Sequence, residues 1–143
     1  MLLTDVNVLV AAYRADAPAH ATCRSLIDDM VNGDLPYAVA DLALSGFLRI
    51  VTHPRIFDPP TLLADALNFT RIYREPPTAV SVEPGSRHWH IFTDLCKIAG
   101  AKGNLVPDAY FAALAIESGH EWVTMDRCFG RFPGLKWRHI SSD

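Results

Sequence analysis

Leu2-Leu3-Thr4-Asp5-Val6-Asn7-Val8-Leu9-Val10 sets a short apolar run against a longer one across a single carboxylate. Leu2 to Thr4 suits a very short strand. The apolar character then continues from Val6 to Tyr13, a length that suits a helix. An aspartate on the heels of Leu2-Leu3 and ahead of Val6, Val8, Leu9 and Val10 is expected to be buried. A buried carboxylate has to be paired, hydrogen-bonded or metal-bound.

The same alternation repeats along the chain. Ala19 to Val31 carries apolar residues at Cys23, Leu26, Ile27 and Met30, a helical spacing closed by Gly33 and Pro36. Tyr37 to Ala40 reads as a strand. Asp41 to Val51 reads as a helix with Leu44, Phe47, Leu48 and Val51 on one face, ending before Pro54. Pro59 and Pro60 are expected to open a helix running to about Tyr73, because proline is tolerated in a first turn. Thr78 to Val82 is β-branched and short, hence a strand. Ser86 to Ala99 and Pro107 to Ser118 read as helices stopped by Gly100 and Gly119. Glu121 to Met125 and Leu135 to Ile140 complete the strands. Strand and helix in alternation predict an α/β fold with a mainly parallel central sheet of four to five strands flanked by helices.

Composition narrows the class. The chain has 143 residues, half of them hydrophobic and a fifth charged, with a net charge of −3. That length and composition suit one globular domain over residues 1–143 with a core large enough to stand without staples. The acidic balance excludes a global basic field for nucleic acid, so any RNA contact must be local. Three cysteines, Cys23, Cys96 and Cys128, lie far apart and in odd number, a pattern of reduced thiols rather than a disulfide framework. Met1-Leu2-Leu3-Thr4-Asp5 has no basic n-region and no spanning apolar run follows, so the expected compartment is the cytoplasm, with no membrane partner.

Open parallel sheets bind ligands outside the carboxyl ends of their strands. Asp5 follows the first strand directly and Asp126 follows the strand ending at Thr124-Met125. Asp108 stands in the first turn of the alanine-rich helix, where the helix dipole also favours a carboxylate. Three carboxylates gathered at one sheet end need a positive charge among them. Hard oxygen donors suit Mg²⁺, with Mn²⁺ as an alternative. Such an ion can polarise a phosphate and activate a water.

Four ordered blocks then carry a resemblance: Leu3 to Val10; Phe47 to Phe57; Gly103 to Ala109 with Ala112 to Ala115; and Thr124 to Phe129 with Arg131 to Leu135. Together they resemble PIN-domain toxins, and more narrowly the VapC toxins of VapBC type II toxin–antitoxin systems in the branch abundant in mycobacteria. The resemblance implies a PIN fold, Mg²⁺-dependent endonucleolytic cleavage of RNA (tRNA, rRNA or mRNA), a homodimer, and inhibition by a cognate VapB-type antitoxin. It implies that Asp5, Asp108 and Asp126 are the catalytic metal ligands, supported through hydrogen bonds by Asn7 and Thr124.

Two departures from the family pattern follow. Gly46 stands where many members carry a helix glutamate, with Asp41 at the start of the same helix as a substitute acid or, alternatively, a helix cap. Cys128 stands where a second acid follows Asp126. These departures favour a rival reading, a catalytically degraded scaffold that only binds its antitoxin. A flavodoxin-like phosphate binder is disfavoured, since no phosphate loop follows the first strand.

Elsewhere, Arg127, Arg131, Lys136 and Arg138 fall within twelve residues free of acids, interleaved with Phe129, Phe132 and Trp137. They form an expected RNA contact, cations to phosphate and rings to bases; alternatively the rings fill the core. His88 and His90 alternate within a helix and do not share a face. His20 with Arg24, and Arg71 with Arg74, are weaker contacts.

Overall fold

A computed structural model describes residues 1–140. The chain runs β1 (Leu2–Thr4), α1 (Val6–Tyr13), α2 (His20–Asn32), β2 (Tyr37–Val39), α3 (Asp41–Val51), α4 (Leu63–Arg74), β3 (Ala79–Ser81), α5 (His88–Ala99), α6 (Leu105–Ser118), β4 (Glu121–Thr124), a 3₁₀ turn (Arg127–Arg131) and β5 (Trp137–His139). The five strands form one sheet in the order β3-β2-β1-β4-β5, every pair parallel. The expected α/β architecture is what the chain adopts.

The central strands are buried along nearly their whole length rather than on alternate residues. Tyr37, Ala38 and Val39 are all buried, as are Trp122, Val123 and Thr124. That is the pattern of parallel strands covered on both faces. The edge strands are more open: β3 is mostly exposed, and β5 is half-buried at Trp137 and His139 and exposed at Arg138. Helix α6 buries Ala109 and the whole run Phe111 to Ala115. Its alanines favour helix, and Gly119, at φ 72°, ends it in the left-handed conformation a C-terminal stop requires.

Aromatic packing fastens these layers. Trp122 stacks on Phe111 at 5.2 Å and meets Phe129 at 5.4 Å, with Phe132 beyond. Phe129 and Phe132 are buried. They fill the core beneath β4, so of the two readings open for these rings the core is the one they take. On the far side, Tyr37 donates to the Tyr73 carbonyl at 2.6 Å, and the Tyr73 hydroxyl meets that of Thr4 at 2.9 Å.

One helix boundary is corrected. Pro59 and Pro60 do not open α4, which begins at Leu63. The segment between α3 and α4 is instead held by Arg14, whose guanidinium lies 4.3 Å over the Phe57 ring. Arg14 Nη1 donates to the Pro59 carbonyl at 3.1 Å and to Thr61 Oγ1 at 3.2 Å. Asp16 holds the same guanidinium through two bonds, of 2.8 and 2.6 Å. The residue that closes α1 thus contacts a loop more than forty positions away.

Candidate metal centre

The strand order places β1 beside β4, while the chain leaves β1 toward β2 on the other side. The β1/β4 boundary is therefore where the winding reverses, and the crevice of such a sheet opens there, at the carboxyl ends. Asp5 N donates to the Val123 carbonyl at 2.8 Å, which ties the end of β1 to the end of β4.

Asp5 is 8 % exposed. One carboxylate oxygen accepts from the Val6 amide at 2.6 Å, capping α1. The other accepts from the Thr124 hydroxyl at 2.6 Å. Thr124 Oγ1 in turn accepts from Asp126 N at 3.0 Å and from Asn7 Nδ2 at 3.4 Å. A hydroxyl offers one proton and two lone pairs, so the Thr124 side chain is saturated. Asn7 completes the bracket by accepting from Met125 N at 3.3 Å. Asn7 and Thr124 therefore join Asp5 to the loop that carries Asp126.

Asp108 enters from the first turn of α6 and is half-buried; Asp126 is exposed. Asp126 caps the 3₁₀ turn by accepting from Cys128 N at 2.9 Å. That turn brings the Cys128 thiol to Asp108, 3.5 Å from Oδ2. Donor atoms of Asp108, Asp126 and Cys128 lie within 4.8 Å of one another. Asp5, Asp108 and Asp126 line one cleft of about 450 Å³, whose other walls include Ile50, Ile56, Phe57 and Asp16.

The electrostatics follow from burial and like charge. Burial lifts Asp5 from 3.8 to about 6, aided by the charges of Asp108 and Asp126 and opposed by its two hydrogen bonds. Burial, with Asp126 adding, also raises Asp108. Burial first, then the two neighbouring carboxylates, pushes the Cys128 thiol up to about 12. Among the described residues, none of the three aspartates has an ion-pair partner. An acidic cluster without a cation of its own is costly as it stands and is built to be neutralised.

Other expected residues lie apart. Asp41 pairs with Arg74 at 2.9 and 3.2 Å and neither lines the cleft nor caps α3, whose cap position is Ala40. Gly46 lies against α1: a Cβ there would stand 2.8 Å from Val6 Cγ2, so any side chain there would require Val6 to shift. Arg127 is exposed directly beside Asp126, and Arg131 is exposed at the end of the turn. Lys136 instead borders a second cavity of about 830 Å³ with Leu2, Tyr37 and Glu121, at the amino ends of the strands. Arg138 is held by Glu121 at 2.7 Å. The four cations therefore do not form one surface. His88 is buried on the Tyr110 carbonyl at 3.0 Å while His90 is exposed beside Asp94. His20 bonds the Ala11 carbonyl, Arg24 pairs with Asp28, and Arg71 with Glu75. All three cysteines are free thiols.

The expectations did not foresee the contact between Cys128 and Asp108 or the place of Asp16 and Phe57 on the cleft wall. For Cys128 the signal was present: two residues past a strand-end aspartate, a tight turn returns the side chain to the same crevice. Phe57 closes one of the four ordered blocks, but its place on the cleft wall, under the Arg14 guanidinium, comes with a long-range contact that local pattern does not encode.

A parallel five-stranded sheet with carboxylates converging at its reversal point is the architecture of a PIN domain, and the PIN domain family model matches residues 2–135. The chain belongs to that family. Among its relatives, the VapC ribonuclease Mb2897 of Mycobacterium bovis is 43 % identical, the alignment covering 97 % of this chain and 95 % of that one. Ribonuclease VapC25 of Mycobacterium tuberculosis is 41 % identical over 98 % of this chain and 97 % of its own. The chain is thus a VapC-type member of the mycobacterial kind. VapBC2 from Rickettsia felis, solved bound to a DNA fragment from its promoter, shares the fold with a TM-score of 0.69 at 15 % identity. That match covers 96 % of this chain and 97 % of the other.

Proposed function

We propose that residues 1–143 act as a single PIN domain, the toxin of a type II toxin–antitoxin pair, and that it cleaves RNA as a Mg²⁺-dependent endoribonuclease. The observation that carries this reading is the convergence of Asp5, Asp108 and Asp126 on one cleft, with no ion-pair partner for any of the three among the described residues. Their donors are hard oxygens, the set that Mg²⁺ or Mn²⁺ takes. When bound there, such an ion supplies electrophilic activation of a phosphodiester and of the attacking water.

The chain's own residues do the rest. Thr124 and the Val6 amide fix the Asp5 carboxylate, so its oxygens need no reorganisation. Asn7 holds the backbone from which Asp126 projects. Ile50, Ile56 and Phe57 form an apolar wall beside the acids, suited to the face of a nucleobase. Arg127, exposed next to Asp126, is placed to meet an RNA phosphate, with Arg131 further along the turn.

The relatives' names support RNA as the substrate, and the VapBC neighbour supports a VapB-type partner; that the RNA is tRNA, rRNA or mRNA and that the partner inhibits cleavage belong to the same proposal. A homodimer in the cytoplasm belongs to the same reading. No helix among the described residues is long and apolar enough to cross a membrane.

The test uses purified, antitoxin-free protein on total RNA with Mg²⁺ or Mn²⁺, with EDTA, and beside Asp5→Ala. Discrete fragments that need both the metal and Asp5 are expected. Folded protein that leaves RNA intact under every condition would overturn the nuclease and leave the antitoxin-binding scaffold.

A further inference from the structure

The donor set at the outer edge of the cleft is not all oxygen. Cys128 Sγ lies 3.5 Å from Asp108 Oδ2, and the donors of Asp108, Asp126 and Cys128 fall within 4.8 Å of one another. The backbone fixes this arrangement: Asp126 accepts from Cys128 N, so the turn that presents one carboxylate also presents the thiol. Cys128 is half-buried and reachable from solvent.

A sulfur donor changes which ions a site prefers. Thiolate favours zinc-group ions, which accept three protein ligands and a fourth from water in tetrahedral geometry. Mg²⁺ takes oxygen and avoids sulfur. We infer that Asp108, Asp126 and Cys128 form a binding site for a thiophilic divalent cation of the zinc group, which displaces the hard ion and so inhibits the nuclease. As the metal–sulfur bond forms, the thiol proton leaves to solvent. The two ions compete because both need Asp108 and Asp126, while the buried, hydrogen-bonded Asp5 serves the hard ion alone. This inference rests on the proposed reading of the aspartates as the hard-metal site.

The probe is Cd²⁺, whose bond to sulfur gives an ultraviolet charge-transfer band. Antitoxin-free protein is titrated with Cd²⁺ followed by absorbance and, separately, with Mn²⁺ followed by calorimetry. Cys128→Ser, Cys128→Asp and Cys96→Ser are run alongside. The wild type and Cys96→Ser should show the band saturating at one equivalent, whereas both Cys128 variants should lack it. Cys128→Ser should lose more Cd²⁺ affinity than the roughly 10–100-fold that a missing outer-shell partner costs. Cys128→Asp should bind Mn²⁺ more tightly than the wild type. Zn²⁺ should suppress RNA cleavage by the wild type and spare Cys128→Asp. A band that survives in Cys128→Asp, or Cd²⁺ binding without any band, overturns the sulfur site while Mn²⁺ binding keeps the aspartate reading. Failure of both ions to bind overturns both.

Discussion

The Thr124 hydroxyl donates its only proton to Asp5 across the β1/β4 boundary at 2.6 Å, and its lone pairs receive Asp126 N and Asn7. One buried oxygen therefore orients a carboxylate from one strand and the loop that carries another.

Thr124→Val removes that oxygen at constant shape. It strands the amide of Asp126 and deprives Asp5 of a donor, at a stability cost of about 1–3 kcal/mol by urea denaturation. Mn²⁺ affinity should fall roughly 10–100-fold by calorimetry, and Thr124→Ser should restore most of it. Equal affinity in Thr124→Val and the wild type would remove the hydroxyl from the account.

Asp5 makes the metal-free protein sensitive to pH. Its folded value of about 6 lies above the unfolded 3.8, so the native state holds this proton longer. Stability should then fall as pH rises from about 4 to about 6, by up to roughly 3 kcal/mol. Asp5→Asn should flatten that slope and raise the melting temperature near neutral pH in EDTA. Calorimetric melting across the window checks the sign; a drop in the melting temperature of Asp5→Asn would reverse it.

Gly46 reports on how closely α1 and α3 approach. Gly46→Ala should destabilise by about 1–3 kcal/mol despite alanine's better helix propensity, because the new Cβ meets Val6 Cγ2 at 2.8 Å. In the background of Val6→Ala the same substitution should cost far less. A double-mutant cycle on denaturation free energies measures this coupling, and strict additivity would contradict it.

Much of this was legible in the chain. Leu2 to Tyr13 reads as a strand and a helix joined at one aspartate, and the strand-end rule then singles out Asp5 and Asp126. Their convergence follows from strand order, which local pattern does not encode. The same ignorance misplaced Lys136: it precedes a parallel strand and so sits at the amino end, away from the acids. In the sequence Phe129 and Phe132 leave RNA surface and core equally open, and the packing of Phe129 on Trp122 with Phe132 beyond decides for the core. Pro59 and Pro60 resemble a helix start, yet α4 begins at Leu63 and the Pro59 carbonyl is taken up by Arg14, a long-range contact that local pattern does not encode.

That contact carries its own prediction. Arg14→Ala removes the cation over Phe57 and the bonds to Pro59 and Thr61. Limited proteolysis should then nick the chain between residues 53 and 62, while the far-ultraviolet dichroism stays near that of the wild type. An unchanged digestion pattern would show that the loop holds its shape without the clamp.

The most direct test of the aspartate centre is a crystal of the antitoxin-free protein soaked in Mn²⁺, with diffraction collected at the manganese absorption edge. The account predicts one strong anomalous peak in the cleft among Asp5, Asp108 and Asp126, with carboxylate oxygens at about 2.1 Å or bridged by water. No peak there at saturating Mn²⁺, or a peak only elsewhere, would contradict it.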